Sequence, residues 1–164
     1  MNFRITTAGA LILGTLMAFP QIVTSAQPSR VKVEHGHINS TAPGQTVTAA
    51  YLTIRNSTGR VATVLGASSP AASSVEIHDV AVTNGVMRMR KLETLSIPVG
   101  SEVRFAPGGY HMMINGLKAR LVAGQTFPVT LHFASGQSIN VAMRVTGPGK
   151  SAASSTGAAH NGHH

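Results

Sequence analysis

The chain contains no cysteine and no tryptophan, and aromatic residues make up only 4% of its 164 positions. Without cysteine no disulfide can staple the fold, so packing and strand pairing must hold it. The same absence removes thiolate from any metal site. It also excludes a blue-copper electron-transfer centre, which needs a Cys ligand. Acidic residues are scarce: Glu34, Glu76, Asp79, Glu93 and Glu102 are the whole set. They form no evident acid–base pair and no nucleophile motif accompanies them, so the chain reads as a binding protein and not as an enzyme. No apolar run reaches the ~20 residues that a membrane-spanning helix needs.

The formal charge is +8. Lys and Arg are scattered and few aromatics lie between them, which does not suit nucleic acid. A basic soluble surface accounts for the charge, and it would suit docking on an acidic partner face.

Arg4 gives the amino terminus a positive start, residues 8–19 are apolar or small, Pro20 breaks the run, and Thr24-Ser25-Ala26 offers small residues for cleavage. Residues 1–26 therefore read as a secretory signal peptide. What remains is expected to be a soluble periplasmic protein with no membrane span. Residues 27–146 form the domain, long enough to bury a core. Residues 147–164 (GPGKSAASSTGAAHNGHH) are small, polar and His-bearing, and cannot bury one.

Within the domain, short strands are predicted over 30–38, 47–56, 62–68, 74–82, 86–91, 101–105, 111–115, 126–133 and 138–145. Turn residues punctuate them, and Asn84-Gly85 is the sharpest hairpin signal. No helical period runs for ten residues. Regular short strands predict an all-β antiparallel sandwich or barrel.

Histidine and methionine carry the chemistry. There are 8 His and 7 Met, and Met1 and Met17 belong to the signal segment. Residues at i and i+2 of a strand share a face. His111 and Met113 therefore point one way and Met112 the other, while Met87 and Met89 share a face. The hairpin brings the strand of Met89 back beside His78. His78, Met89, His111 and Met113 are thus candidates to converge at one end of the domain, offering two imidazoles and two thioethers. Thioether is a soft, neutral ligand that favours Cu(I). Zinc more often takes Cys, His or carboxylate. The plainer alternative is that the methionines fill the core; His132 and Met143 receive only that structural reading.

His78 is followed by ten residues, Met89, twenty-one residues and His111-Met112-Met113. In this spacing, and in SSVEIHDV, AAYLTIRN and the Gly-Gly-Tyr-His context, the chain resembles the periplasmic copper chaperone family usually called PCuAC. The likeness runs from about Val31 to Val145. It implies a cupredoxin-like Greek-key β-sandwich or barrel that binds Cu(I) through His78, Met89, His111 and Met113. It further implies delivery of that copper to a receiving protein, cytochrome c oxidase subunit II or another copper chaperone. A copper buffer or resistance protein without a delivery partner, and a metal-free structural sandwich, are the alternatives. The chain departs from the family near the first strand. There Glu34-His35-Gly36-His37 stands where an aromatic is usual, and Val80 occupies a frequent Met position. His35 and His37, read as sharing a strand face, form a candidate accessory site, although a solvated face is the plainer reading.

His160, His163 and His164 have no thioether nearby in sequence and suit Cu(II) better than Cu(I). Imidazole must be neutral to bind, and its unperturbed pKa is about 6.5. Full-length protein titrated with Cu(II) is expected to show weak binding that fades as pH falls through that value. Deletion of residues 147–164 should remove it.

Overall fold

The computed structural model describes residues 30–148, apart from Asn84 and the side chain of Thr83. The signal segment, its boundary at Ala26, and His160, His163 and His164 lie outside the described residues. Ten strands follow in order: β1 (Val31–Asn39), β2 (Thr48–Asn56), β3 (Ala62–Ser68), β4 (Ser74–Thr83), β5 (Val86–Lys91), β6 (Leu95–Ile97), β7 (Glu102–Arg104), β8 (His111–Asn115), β9 (Thr126–Phe133) and β10 (Ser138–Thr146). The sequence reading omits β6, which is three residues long and is followed by Pro98, too short for alternation to register. At the tip of the β4–β5 hairpin Thr83 pairs with Val86, leaving two residues for the turn. Gly85 there adopts φ 76°, the left-handed conformation such a turn demands.

The strand order closes on itself. β4-β8-β2-β1-β10-β9-β3 is a ring of hydrogen-bonded neighbours, and Ala67 of β3 pairs with Val75 of β4 to complete it. β5, β6 and β7 attach at the margins of this barrel, on β4, β3 and β2. The all-β expectation holds. One pairing departs from a purely antiparallel pattern: β1 and β10 run parallel, with Ile38 opposite Val145.

Alternation fills the barrel. Ala50, Leu52 and Ile54 of β2, Phe127, Val129, Leu131 and Phe133 of β9, and Met143 and Val145 of β10 all point inward and are buried. Ala49, Tyr51 and Arg55 take the opposite face of β2. Met143 is therefore core, as the plainer reading of it has it.

β1 is bulged. Glu34 pairs with Thr53 but the next pair is His37 with Tyr51, so β1 carries one extra residue. His35 absorbs it at φ 56°, a left-handed conformation costing a non-glycine residue about 1–2 kcal/mol. Gly36 follows because a Cβ there would stand 2.8 Å from Met143 Sδ and 3.1 Å from Val141 Cγ1. The shared face expected for His35 and His37 rests on unbroken alternation, and the bulge between Glu34 and His37 interrupts it. Their recorded contact runs instead from the His37 ring to the His35 backbone, with Nδ1 3.1 Å from the carbonyl oxygen.

Asn56 ties the far end of β2 to β6. It is fully buried. Its Nδ2 donates to the carbonyls of Arg60 and Ile97 at 2.8 and 2.9 Å, and its Oδ1 accepts from the Thr58 amide at 3.0 Å. Asn56→Ala strands a buried carbonyl and should lower stability by about 2–3 kcal/mol in urea unfolding. Metal uptake should be unaffected, since β2 meets β8 at its other end.

Candidate metal centre

His78 is paired on both edges of β4, opposite His111 of β8 and opposite Lys91 of β5. Directly opposed residues share a face. Lys91, His78 and His111 therefore form a row across three strands. Two residues along β4 in one direction, Glu76 lies opposite Met113; two residues in the other, Val80 lies opposite Met89. Both methionines are diagonal neighbours of His78 on the same face. Met87, opposite Val82, lies further out on that face.

Met112 takes the other side. It pairs with Ile77 and is 0% exposed, inside the barrel. The alternation read from His111-Met112-Met113 thus matches the placement. Met89 differs from the rest: it stands on the hairpin strand and is 57% exposed, with Met87 at 62%. The structure brings His78, His111 and Met113 together on the barrel wall and presents Met89 from the projecting hairpin.

The two imidazoles lie with ring centroids 5.7 Å apart and planes tilted by 46°. Their hydrogen bonds define their tautomers. His111 Nδ1 lies 3.0 Å from the Gly109 carbonyl, which can only accept, so Nδ1 carries the proton and Nε2 a lone pair. His78 Nε2 lies 3.0 Å from Glu76 Oε2. An ionised carboxylate can only accept, so this ring carries a proton on Nε2, and in its neutral form the lone pair is on Nδ1. Glu76 is well held in that state: hydrogen bonds from His78 first, then from Lys91, whose Nζ is 3.3 Å from Oε1, keep its carboxyl below the usual carboxylate range.

His78 Nδ1 and His111 Nε2 are buried and have no hydrogen-bond partner. Among the described residues they are the only such side-chain atoms. Leaving a buried polar atom unpartnered costs about 1–3 kcal/mol, and such an atom in a native fold calls for a ligand or an ion. Here two stand on directly paired residues, both as lone pairs, with thioethers on the same face. Among the described residues, no three His, Cys, Asp or Glu side chains gather into a metal site. The protein donors available beside the two imidazoles are therefore soft sulfurs, a set suited to a soft monovalent ion.

The remaining candidates sit elsewhere. His132 lies 2.8 Å from Ser68 Oγ through Nε2 and 3.2 Å from Ser138 Oγ through Nδ1, a structural role. His37 stacks on Tyr51, with centroids 5.3 Å apart. Glu76, Lys91 and the Gly109 carbonyl escaped the sequence reading. Glu76-Ile77-His78 held the signal, since i and i+2 share a face.

The fold and this face define an all-β, cupredoxin-like barrel with two paired histidines and flanking methionines on its wall. By sequence the chain belongs to the LpqE-like family ("Putative lipoprotein LpqE-like"), whose profile matches residues 31–145. It is 37% identical over 146 residues to "Putative lipoprotein Lxx21020" of Leifsonia xyli subsp. xyli, covering 87% of this chain and 88% of that protein. Its fold is that of the copper-bound PCuAC domain from PmoF2, with TM-score 0.62, 24% identity, and coverage of 72% of this chain and 93% of that one. It is also similar to the solution structure of CuI-DR1885 from Deinococcus radiodurans, with TM-score 0.59, 28% identity, and coverage of 75% and 81%. The resemblance to PCuAC domains thus holds for the fold, and the family that the sequence establishes is the LpqE-like one.

Exposure separates the methionines chemically. Limited peroxide treatment of the metal-free protein should convert Met87 and Met89 to sulfoxides well before Met112 and Met143, as read by peptide mass mapping.

Proposed function

We propose that the protein is an exported copper-binding protein that holds one Cu(I) through His78 Nδ1, His111 Nε2, Met113 and Met89, and hands it to a receiving protein. One observation carries this reading: the two unpartnered, buried imidazole lone pairs on directly paired strands, flanked by thioethers. The 28% identical copper(I) form of DR1885 supports the choice of metal. Four neutral donors satisfy Cu(I) without adding charge, and none is a thiolate, the stronger soft ligand. Binding and transfer is the activity, with no catalytic step.

Release proceeds by ligand exchange. Met89, the exposed donor, is the first a partner's Cys, Met or His can displace. The recipient is a copper-site protein such as cytochrome c oxidase subunit II or another chaperone. Export to the periplasm agrees with the signal-like residues 1–26 and with the lipoprotein description of the relatives. A cysteine-linked acyl chain has no attachment point in these 164 residues. Among the described residues no helix is long and apolar enough to cross a membrane.

Competition titration of residues 27–164 with Cu(I) should give one bound ion per chain. Met113→Leu keeps the volume but removes the sulfur and should weaken binding by roughly tenfold or more. Met112→Leu, a volume-conserving change in the core, should leave affinity within about twofold and cost less than ~1.5 kcal/mol of stability. Equal binding by the Met113→Leu variant and the parent would sink the ligand assignment. Transfer of the bound copper to the soluble domain of the recipient tests delivery against mere storage.

A further inference from the structure

We infer that Glu76 is a positioning residue that fixes which nitrogen of His78 meets the metal, so that the two histidines bind through different atoms, His78 through Nδ1 and His111 through Nε2. The functional consequence rests on the copper reading above; the ring assignment does not.

The two rings are held by different devices. His111 is aimed by a backbone carbonyl two residues upstream, that of Gly109, at 3.0 Å. That carbonyl belongs to the main chain and survives any side-chain substitution. His78 is aimed by a side chain two residues upstream, Glu76, through Oε2 at 3.0 Å from Nε2. The carboxylate is in turn anchored from β5 by Lys91, whose Nζ stands 3.3 Å from the other oxygen, Oε1. Lys91 is the residue directly opposite His78 in the sheet, so one cross-strand pair supplies both the imidazole and the cation that steadies its orienting carboxylate.

Each contact has a separate effect. The acceptor-only carboxylate keeps the proton of His78 on Nε2. The hydrogen bond stops the ring from turning about χ2, so Nδ1 stays in the buried position where it has no other partner. By pulling on the Nε2 proton the carboxylate also enriches the ring in electron density and raises the donor strength of Nδ1, as a carboxylate behind a metal-ligating histidine does in general. Glu76 lies opposite Met113, so it borders the site without replacing a donor in it.

The test uses Glu76→Leu, Glu76→Gln and Lys91→Met, each read first without metal. Nitrogen-15 NMR of the metal-free parent should show His78 as a single Nε2–H tautomer and His111 as a single Nδ1–H tautomer. On addition of Cu(I), which is diamagnetic, the large shifts should fall on His78 Nδ1 and His111 Nε2. In Glu76→Leu the His78 signals should move toward tautomer-averaged values while those of His111 stay, and Cu(I) affinity should fall by roughly 10–100-fold. Gln keeps an oxygen acceptor, so Glu76→Gln should recover most of that loss. Lys91→Met should leave the His78 tautomer unchanged, because Lys91 acts only through Glu76. An averaged or Nδ1–H form of His78 in the parent overturns the inference, as does parent-like affinity and a single Nε2–H tautomer in Glu76→Leu. If the tautomers behave as stated but the parent takes up no Cu(I), the positioning role stands and the copper reading falls.

Discussion

The centre depends on the register in which β4 lies against β8. That register sets His78 directly opposite His111 and Glu76 directly opposite Met113. A slip of one residue would turn one strand's whole set to the other face. It would carry His78 into the barrel, or bring Ile77 out beside His111. The register is enforced from the inside, where Ile77 and Met112 pair as buried residues of the core. Packing in the barrel therefore selects the geometry on its wall. It is held at its far end by the turn at Gly116. There φ is 62° and an added Cβ would collide with the Ser73 side chain, so no other residue fits.

The donors divide into a rigid group and a presented one. His111 is 6% exposed and hydrogen-bonded to the chain beside it, and His78 is clamped by Glu76. Both lone pairs are made ready before any ion arrives, at a cost of about 1–3 kcal/mol each while they lack a partner. An ion that engages them removes that cost, so binding and stability rise together. Met89 sits on a strand whose every residue is exposed. Preorganised nitrogen beside an accessible sulfur is the contrast on which the proposed holding and release of copper rests.

Much of this was readable before any coordinates. Strand alternation separates Met112 from His111 and Met113, because a period of two leaves no freedom once the strand is regular. The Asn84-Gly85 dipeptide announces the hairpin that returns Met89 beside β4. What alternation cannot report is where a strand stops being regular. The bulge at His35 is invisible to it, since a His at positive φ has no sequence signature and is set by β2 alongside and by Met143 beneath Gly36. The parallel closure of β1 on β10 joins residues more than a hundred positions apart, and nothing local encodes it. Glu76 was overlooked because a lone carboxylate two residues before a His carries no motif of its own, and the hairpin that sets Lys91 beside it joins residues fifteen positions apart.

The hairpin has one further implication. Among the described residues β5 pairs with β4 on one side only, so within them its other edge offers unpaired amides and carbonyls along a strand that also exposes Val86, Met87 and Met89. Such an edge invites a second chain to extend the sheet. Arg88, Arg90 and Lys91 are interleaved with those apolar side chains. Two copies laid edge to edge would bring these cations together, and like charges across a strand pair repel. The excess of basic over acidic residues here acts as a guard. It lets an accessible thioether strand stay in solution without templating the aggregation that its apolar character would otherwise favour.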